Sequence, residues 1–490
     1  MNANVSSQSA RPLGLGKAVL VAALSAGTFH LAFAYASWSW LVLVFLGGLF
    51  ALRRLSTPRK AFYAALAVGM GIYGPQLAFF WRIFGPVAIV LWLVLAFWLA
   101  AFVLVLHHVQ RRWGTKWAVV LAPVVWLGLE FFRSELYYLR FAWFTAGSVL
   151  PVWLSEPLLS QLGVYGCGAL VMIVAATMTA LLEESPRYPQ PAFIRYLIIA
   201  AVGYCLLAGF LFVHAAITFA GSGPVTRIPV AGLQMEFAGP TEILDRLRQL
   251  AKEHPKAELV VLSEYAFGVP VPDDIKSWCR ENHRWLVAGG KEPLLNGNYY
   301  DTAYVVGTNG NVVFQQAKAV PVQMFKDGLP APGQHVWASP WGKIGLCICY
   351  DLNYSRVVDR LIRQDARALI VPTMDLESWG VYEHQLAARL TAIRSAEYGV
   401  PILRLASSGI SQLVADNGNV LVHTSVPGPG EVLAGNLSWL GFSRPHLPLD
   451  RYLAPVCVAA TAVLIFALFF LHWRDRRQRC SSANLQPASP

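Results

Sequence analysis

Gly345-Leu346-Cys347-Ile348-Cys349-Tyr350-Asp351 carries a run of apolar residues into a cysteine followed at once by a phenol and a carboxylate. Apolar residues that stop at a small turn read as a buried strand whose end presents a side chain. Packing alone accounts poorly for a thiol at that position beside Tyr350 and Asp351. Cysteine is nevertheless among the most buried residue types, so a core reading of Cys349 stands beside the nucleophilic one. A nucleophile needs a base, a cation and a suitable location, and each can be sought elsewhere in the chain.

Outward from this strand the composition changes character. Of 490 residues, 56% are hydrophobic and only 14% charged, whereas soluble globular chains carry roughly 25% charged residues. Much of the chain therefore belongs in lipid. Apolar runs lie at Ala18–Ala36, Ser37–Leu52, Phe62–Phe80, Val87–Leu106, Trp117–Phe132, Leu158–Leu182, Leu197–Phe219 and, far downstream, Leu453–Leu471. Several reach the ~20 residues that a spanning helix requires, and the second and fifth are short. The first also reads as a signal peptide, with Arg11 and Lys17 before it and Ala-Phe-Ala-Tyr-Ala at its end,. A retained helix is preferred because the charge pattern needs it. Basic residues cluster at Arg11 and Lys17, at Arg53, Arg54, Arg59 and Lys60, at Arg111, Arg112 and Lys116, at Arg187 and Arg195, and at Arg474–Arg479. With eight spans these clusters share one side, which the positive-inside rule makes cytoplasmic, together with both termini. The formal net charge of +11 thus reflects topology and not a nucleic-acid surface,.

The expected organisation is a cytoplasmic N-terminus (1–16), seven spans (17–220), an outer domain (225–446), a last span (452–472) and a basic cytoplasmic tail (473–490), with Ser481–Pro490 expected to be disordered. The outer domain faces the periplasm if the source is Gram-negative. In it, strand-like and helical stretches alternate. Strands are expected at Arg227–Leu233, Glu258–Leu262, Trp285–Ala288, Asp301–Gly307, Val312–Gln316, Lys343–Ile348, Ala368–Pro372 and Pro401–Ala406. Helices are expected at Glu242–Lys252, Asp273–Glu281, Arg356–Arg363 and Glu383–Glu397,. This alternation argues for an α/β or layered α-β-β-α domain on a multi-pass α-helical membrane bundle. The seven cysteines (Cys167, Cys205, Cys279, Cys347, Cys349, Cys457 and Cys480) show no paired CxxC, and Cys347 and Cys349 are too close for a relaxed disulfide,. A free thiol is the natural reading. Cys347 would share a face with Cys349 on a regular strand and reads as core one pleat deeper.

Two further strand ends carry ionisable groups. Glu264 emerges from Glu258–Leu262, and Lys318 follows Val312–Gln316. Ligand sites in α/β folds gather at carboxyl ends of strands. Glu264 could take the thiol proton, while Lys318 could depress the thiol pKa and stabilise an oxyanion. A purely structural Glu264–Lys318 ion pair is an equally open reading. Glu130, in an apolar span, reads either as a site residue or as a partner of Arg133. The Phe79-Phe80-Trp81 and Tyr137-Tyr138 clusters read as interface anchors.

The order Glu264, Lys318, Cys349 resembles the Glu-Lys-Cys triad of the carbon–nitrogen hydrolase (nitrilase) superfamily. Joined to a membrane bundle, it resembles the apolipoprotein N-acyltransferases. Gly69-Met70-Gly71-Ile72-Tyr73 with Phe79-Phe80-Trp81, Trp126-Leu127-Gly128-Leu129-Glu130 with Phe141-Ala142-Trp143, and Gly163-Val164-Tyr165-Gly166 are similar to that family's spans. Val230–Gln234, Lys318-Ala319-Val320-Pro321-Val322 and Arg394-Ser395-Ala396-Glu397-Tyr398-Gly399 are similar to its outer-domain blocks. The resemblance implies a nitrilase-like α-β-β-α sandwich with Glu264, Lys318 and Cys349 catalytic. Tyr350, Asp351, Asp327, Trp379, His384 and Glu397 are then supporting or substrate-binding, His384 competing with a solvated-helix reading. It implies no metal and no other cofactor. The chain departs from the family in three places. The second glutamate of Pro-Phe-Gly-Glu is replaced within Gln323-Met324-Phe325-Lys326-Asp327, with Lys326 at the aligned position and Asp327 beside it. Cys-Tyr-Glu becomes Cys349-Tyr350-Asp351, and the Asn-Asp-x-Trp block becomes Met374-Asp375-Leu376-Glu377-Ser378-Trp379.

The implied reaction moves a fatty acyl chain from a phospholipid donor, through a Cys349 thioester, to the N-terminal amine of a diacylglyceryl-cysteine lipoprotein acceptor. The bacterial inner membrane is the implied location. A membrane-tethered amidase or nitrilase acting on a small amide, or an inactive lipoprotein-binding homologue, are the alternative readings.

Overall fold

A computed structural model describes residues 12–184, 209, 213, 224–425, 430–441 and 445–483. Apart from Gly209 and Val213, the expected span Leu197–Phe219 lies outside the described residues, as do Arg11, Arg187 and Arg195. The first half is helical: α1 (Leu15–Ala34), α2 (Val42–Leu52) entered through a 3-10 turn at Ala36–Leu41, α3 (Pro58–Gln76), a short α4 (Phe80–Phe84), α5 (Val87–Trp113), α6 (Thr115–Phe131) and α7 (Val152–Glu184). Local chemistry sets several ends. Thr57 caps α3 by accepting from the Lys60 N–H at 3.2 Å, with Pro58 in the first turn,. Among the described residues, five helices are long and apolar enough to cross a membrane: Leu15–Ala34, Val87–Trp113, Thr115–Leu136, Ser155–Glu183 and Asp450–Gln478,. Small residues let them approach closely. A Cβ on Gly69 would lie 2.6 Å from the Ala96 Cα of α5, so α3 and α5 meet backbone to backbone,.

The outer domain holds two six-stranded sheets. The first is ordered β12-β1-β2-β3-β4-β5: β1 (Val225–Leu233), β2 (Leu259–Leu262), β3 (Trp285–Pro293), β4 (Tyr299–Val306), β5 (Val312–Ala317) and β12 (Val432–Leu440). The second is ordered β11-β10-β9-β8-β7-β6: β6 (Val336–Ser339), β7 (Gly342–Leu346), β8 (Ala368–Thr373), β9 (Ile402–Ala406), β10 (Gln412–Val414) and β11 (Val420–His423). Side-chain alternation builds the layers. Ile228, Val230, Leu259 and Val261 pack between the sheets against Ile344, Leu346, Ile370 and Leu403. Their neighbours Ala231, Leu233, Val260 and Leu262 face outward onto α8 (Pro240–Glu253) and α9 (Asp273–Asn282). On the far side, Leu369, Val371 and Ile402 face α10 (Ser355–Arg363) and the end of α11 (Val381–Tyr398). The architecture is the α-β-β-α sandwich.

Helix α11 lies between the second sheet and the bundle, with Ile393 and Ala396 packed on Val164 and Tyr165 of α7. The chain returns to the bundle in α12 (Asp450–Ala483), packed along α6. This helix runs past the expected end at 472 and through the basic stretch to Ala483, which includes the first three residues of the tail expected to be disordered. Arginine is a good helix former, and extending a formed helix costs little. Strands β6, β10, β11 and β12 were absent from the expected set. They are short or, in Ala434-Gly435-Asn436-Leu437-Ser438, mostly small and polar, and only their sheet partners identify them.

Candidate active site

Cys349 follows β7 in a short 3-10 turn (Cys349–Asn353) and has a backbone φ of 49°. A non-glycine residue held there costs roughly 1–3 kcal/mol, which the surrounding fold must supply. The turn breaks the strand alternation expected for the two cysteines. Cys347 is fully buried on the helix side with Val358 and Leu361, whereas Cys349 packs at the edge of the intersheet core and opens into a cavity. The ladder ends at Leu346, so period two does not continue to Cys349.

Glu264 and Lys318 arrive beside it from the first sheet. The Lys318 Nζ donates to Glu264 Oε1 at 2.6 Å, and both side chains are buried. The other Glu264 oxygen accepts from the Met374 N–H at 2.7 Å, and the Met374 carbonyl lies 4.0 Å from the Cys349 Sγ. Asp327 Oδ2 stands 2.7 Å from the Lys318 Nζ. The shorter carboxylate thus sits on the lysine, also accepting from the Tyr265 hydroxyl and the Val322 N–H. Lys326 is exposed and only its carbonyl is engaged, by the Tyr299 hydroxyl. A third carboxylate was missed in the sequence: Asp301 is fully buried with Oδ2 3.5 Å from the same Nζ. Its signal lay in the β4–β5 hairpin, whose register sets Asp301 beside Lys318, the Lys318 N–H donating to the Asp301 carbonyl at 2.8 Å.

Oxygens of Glu264, Asp301 and Asp327 lie within 4.8 Å of one another, a geometry that could hold a cation. The Lys318 ammonium occupies that position. Burial works against the charged lysine, but Glu264 first, and Asp327 with it, hold its pKa well above the usual value. The opposite happens at the thiol. Burial first, then Glu264, push the Cys349 pKa well above its ordinary value and outweigh the pull of Lys318. Lys318 pulls the thiol pKa down, as expected, but the net shift in the resting site is upward. Cys349 is a neutral thiol there and needs a base at the moment of attack.

Asp351 sits beneath the turn and not at a substrate surface. Its carboxylate accepts from the N–H groups of Ala319 (3.0 Å), Val320 (2.7 Å) and Ile348 (3.2 Å), tying the lysine loop to the cysteine turn. Burial pushes its pKa up to about 6 against those donors.

The cavity at Cys349 encloses about 780 Å³ including its mouth. One wall comes from the outer domain, with Tyr350, Thr373, Asp375, Trp379, Glu383 and Arg404. The facing wall comes from the bundle, with Phe79, Phe80, Ile83, Phe141 and Trp143. Phe79 and Phe80 therefore line the cavity, while Trp81 alone of that cluster is exposed. Phe325 bridges the two walls, its ring 5.5 Å from Phe84 and 6.4 Å from Trp379. Tyr350 donates its hydroxyl to the Arg140 carbonyl at 3.2 Å. His384 is buried and bonds the Leu376 carbonyl at 2.9 Å, so it holds the 374–379 loop and does not reach the triad. Glu397 is not part of this site. It accepts from the Val164 N–H of α7 at 2.9 Å and pairs with Arg394 and Arg451 at the junction with the bundle. Glu130 also lies elsewhere: one oxygen accepts from the Ala146 N–H at 2.9 Å inside the bundle, where it shares a small cavity with Arg133.

A buried carboxylate–ammonium pair and a thiol at the strand ends of an α-β-β-α sandwich, opening on a helical membrane bundle, define a membrane-borne carbon–nitrogen hydrolase. Residues 227–433 match the family model of the carbon-nitrogen hydrolases, and residues 25–177 match that of the apolipoprotein N-acyltransferase N-terminal domain. The chain belongs to the apolipoprotein N-acyltransferase family. It is 23% identical over 420 residues to the apolipoprotein N-acyltransferase of Geobacter metallireducens, covering 74% of this chain and 78% of that one. The corresponding protein of Nitrosomonas europaea is 22% identical over 422 residues, covering 75% and 81%. A deaminated glutathione amidase of Dictyostelium discoideum is 30% identical over 141 residues, but covers only 25% of this chain and 47% of its own length.

Proposed function

We propose that the protein is a phospholipid-dependent N-acyltransferase that acylates the N-terminal amine of diacylglyceryl-cysteine lipoproteins through a thioester on Cys349. The observation that carries this reading is the shared cavity: the thiol opens onto a wall of bundle aromatics, where an acyl chain can lie without meeting water,. In the first half-reaction Glu264 takes the Cys349 proton as Sγ attacks the ester carbonyl. Lys318 donates to the oxyanion, and Glu264 returns the proton to the departing lysophospholipid hydroxyl. In the second, the acceptor amine attacks the thioester, gives its proton to Glu264 and releases the thiol. Asp327 positions Lys318, and Asp351 positions the loops that carry Lys318 and Cys349.

The protein belongs in the bacterial inner membrane, with the outer domain on the periplasmic face and both termini cytoplasmic. Charge placement supports this orientation. Arg53 pairs with Glu183 at 2.6 Å and Arg112 with Asp475 at 2.6 Å, at the bundle end formed by the carboxyl ends of α2, α5, α7 and α12. At the other end, Gln76 meets Tyr382 and the Val149 carbonyl accepts from Arg389 at 2.7 Å,.

The test incubates purified protein with labelled phospholipid and a diacylated lipopeptide, beside Cys349→Ala, with small amides assayed in parallel. Thiol-dependent N-acylation, lost by at least about 1,000-fold in the variant, is expected for a covalent nucleophile. Thiol-dependent amide hydrolysis without transfer would establish the amidase reading instead, and absence of any thiol-dependent turnover would overturn both.

A further inference from the structure

The cavity wall holds a carboxyl group that the reaction described above does not use. Glu383 lies in the first turn of α11, only 6% exposed, and Oε2 has no hydrogen-bond partner. The nearest cationic candidate is the His384 Nε2 at 3.7 Å, which already bonds the Leu376 carbonyl. Asp375 is the other carboxylate of the cavity lining, and it is engaged by Arg404. Leaving a carboxyl oxygen unpaired in an aromatic cavity costs free energy that a ligand N–H donor recovers.

We propose that Glu383 is the anchor for the acceptor's α-amino group, pairing with the arriving ammonium and holding the nitrogen over the thioester. This inference rests on the acyltransferase reading and adds the residue that recognises the second substrate. The chemistry of the donor argues against the alternative use. The donor reacts at an ester whose oxygens are acceptors and do not answer a carboxylate, whereas the acceptor reacts through a primary amine with N–H donors. A headgroup ammonium bound at Glu383 would instead make lysophospholipid release depend on this residue, which the first half-reaction reads. Burial and the neighbouring Asp375 push the empty carboxyl well above its usual pKa, so it rests neutral and ionises when a cation arrives,. Arg404 is paired with Asp375 and pulls the Glu383 pKa down from a distance, a pull that burial and Asp375 outweigh. The ammonium gives up one proton to solvent before attack, and Glu264 takes the second as the C–N bond forms and passes it to the departing Cys349 sulfur.

The two half-reactions separate this role from the overall reading. In Glu383→Gln, lysophospholipid release and thioester formation, measured without acceptor, should stay within about threefold of the parent enzyme. Transfer to a diacylated lipopeptide should fall about 10- to 100-fold with a raised KM, as expected for loss of one charge-assisted contact. Glu383→Asp should restore part of the transfer rate. Unchanged transfer in Glu383→Gln, or a parallel fall in both half-reactions, would overturn the assignment. A parent enzyme that forms no thioester would overturn the acyltransferase reading and this inference with it.

Discussion

Three carboxyl groups around one ammonium cannot all be ionised without a large penalty, and the site resolves this through unequal partners. Asp327 accepts from Lys318, Tyr265 and the Val322 N–H, and Glu264 accepts from Lys318 and the Met374 N–H. Asp301 has no hydrogen-bond donor at either oxygen. Burial and then Glu264 push its pKa well above the ordinary value, so it carries the proton. Two substitutions of equal size should therefore behave differently. Asp301→Asn replaces a neutral acid by a neutral amide, and activity should stay within a few-fold of the parent enzyme. Asp327→Asn leaves a buried ammonium short of a partner, at a cost of about 3–5 kcal/mol, and thioester formation should fall at least about 100-fold. The sign with pH follows from the direction of the shift. A carboxyl whose pKa is raised on folding favours the folded state at low pH and loses that contribution as the pH rises through its folded value. Asp301→Asn should thus gain in relative thermal stability as the pH rises, read from melting in detergent at a series of pH values.

At the scale of elements, α7 is two helices joined at Gly163, whose φ is 74°. The break exposes a fresh helix N-terminus, and two carboxylates fill it. Glu397 accepts from the Val164 N–H, and Asp450 accepts from the N–H groups of Tyr165 at 3.0 Å and Gly166 at 3.4 Å,. A Cβ at Gly163 would overlap the Asp450 carboxylate and would also be held in the left-handed region. Gly163→Ala should destabilise by about 2 kcal/mol or more, since the backbone term alone is roughly 1–2 kcal/mol. The measurement is the apparent melting temperature in detergent. An unchanged value would mean that the kink relaxes freely.

At the scale of the whole molecule, the same carboxylates join the outer domain to the bundle. Arg451 contacts Asp359 at 2.9 Å, Glu397 at 2.8 Å and Asp450 at 2.6 Å, while Arg394 pairs with Glu397. Glu135 of the bundle accepts from the Ser355 N–H and hydroxyl and from the Tyr165 hydroxyl. This buried network sets how the sandwich sits on the bundle, and so how the aromatic wall faces Cys349. Glu397→Gln removes the charge that two arginines share. It should lower stability by about 3–5 kcal/mol and reduce both half-reactions together, unlike Glu383→Gln, where only transfer falls. Equal effects of the two variants on the separate steps would remove the distinction between junction and acceptor site.

The amino-acid order determined most of the elements. Apolar runs and the alternation of strands with amphipathic helices are local patterns; among the described residues five helices reach spanning length, and the alternating elements stand in the sandwich, because burial reads such patterns directly. Glu264, Lys318 and Cys349 were legible for the same reason, each standing where an apolar strand ends. Tertiary structure decided what depends on neighbours distant in the chain. Asp327 meets Lys318 because the 322–329 loop folds back, and Asp301 meets it through hairpin register. Glu397 left the expected site because its side of α11 faces the bundle. The resting protonation of Cys349 could not follow from the presence of a lysine, because burial and carboxylates from separate strands outweigh it. The cavity itself is a product of docking: Phe79, Phe80, Phe141 and Trp143 become one wall of the site only when the sandwich is seated over the bundle.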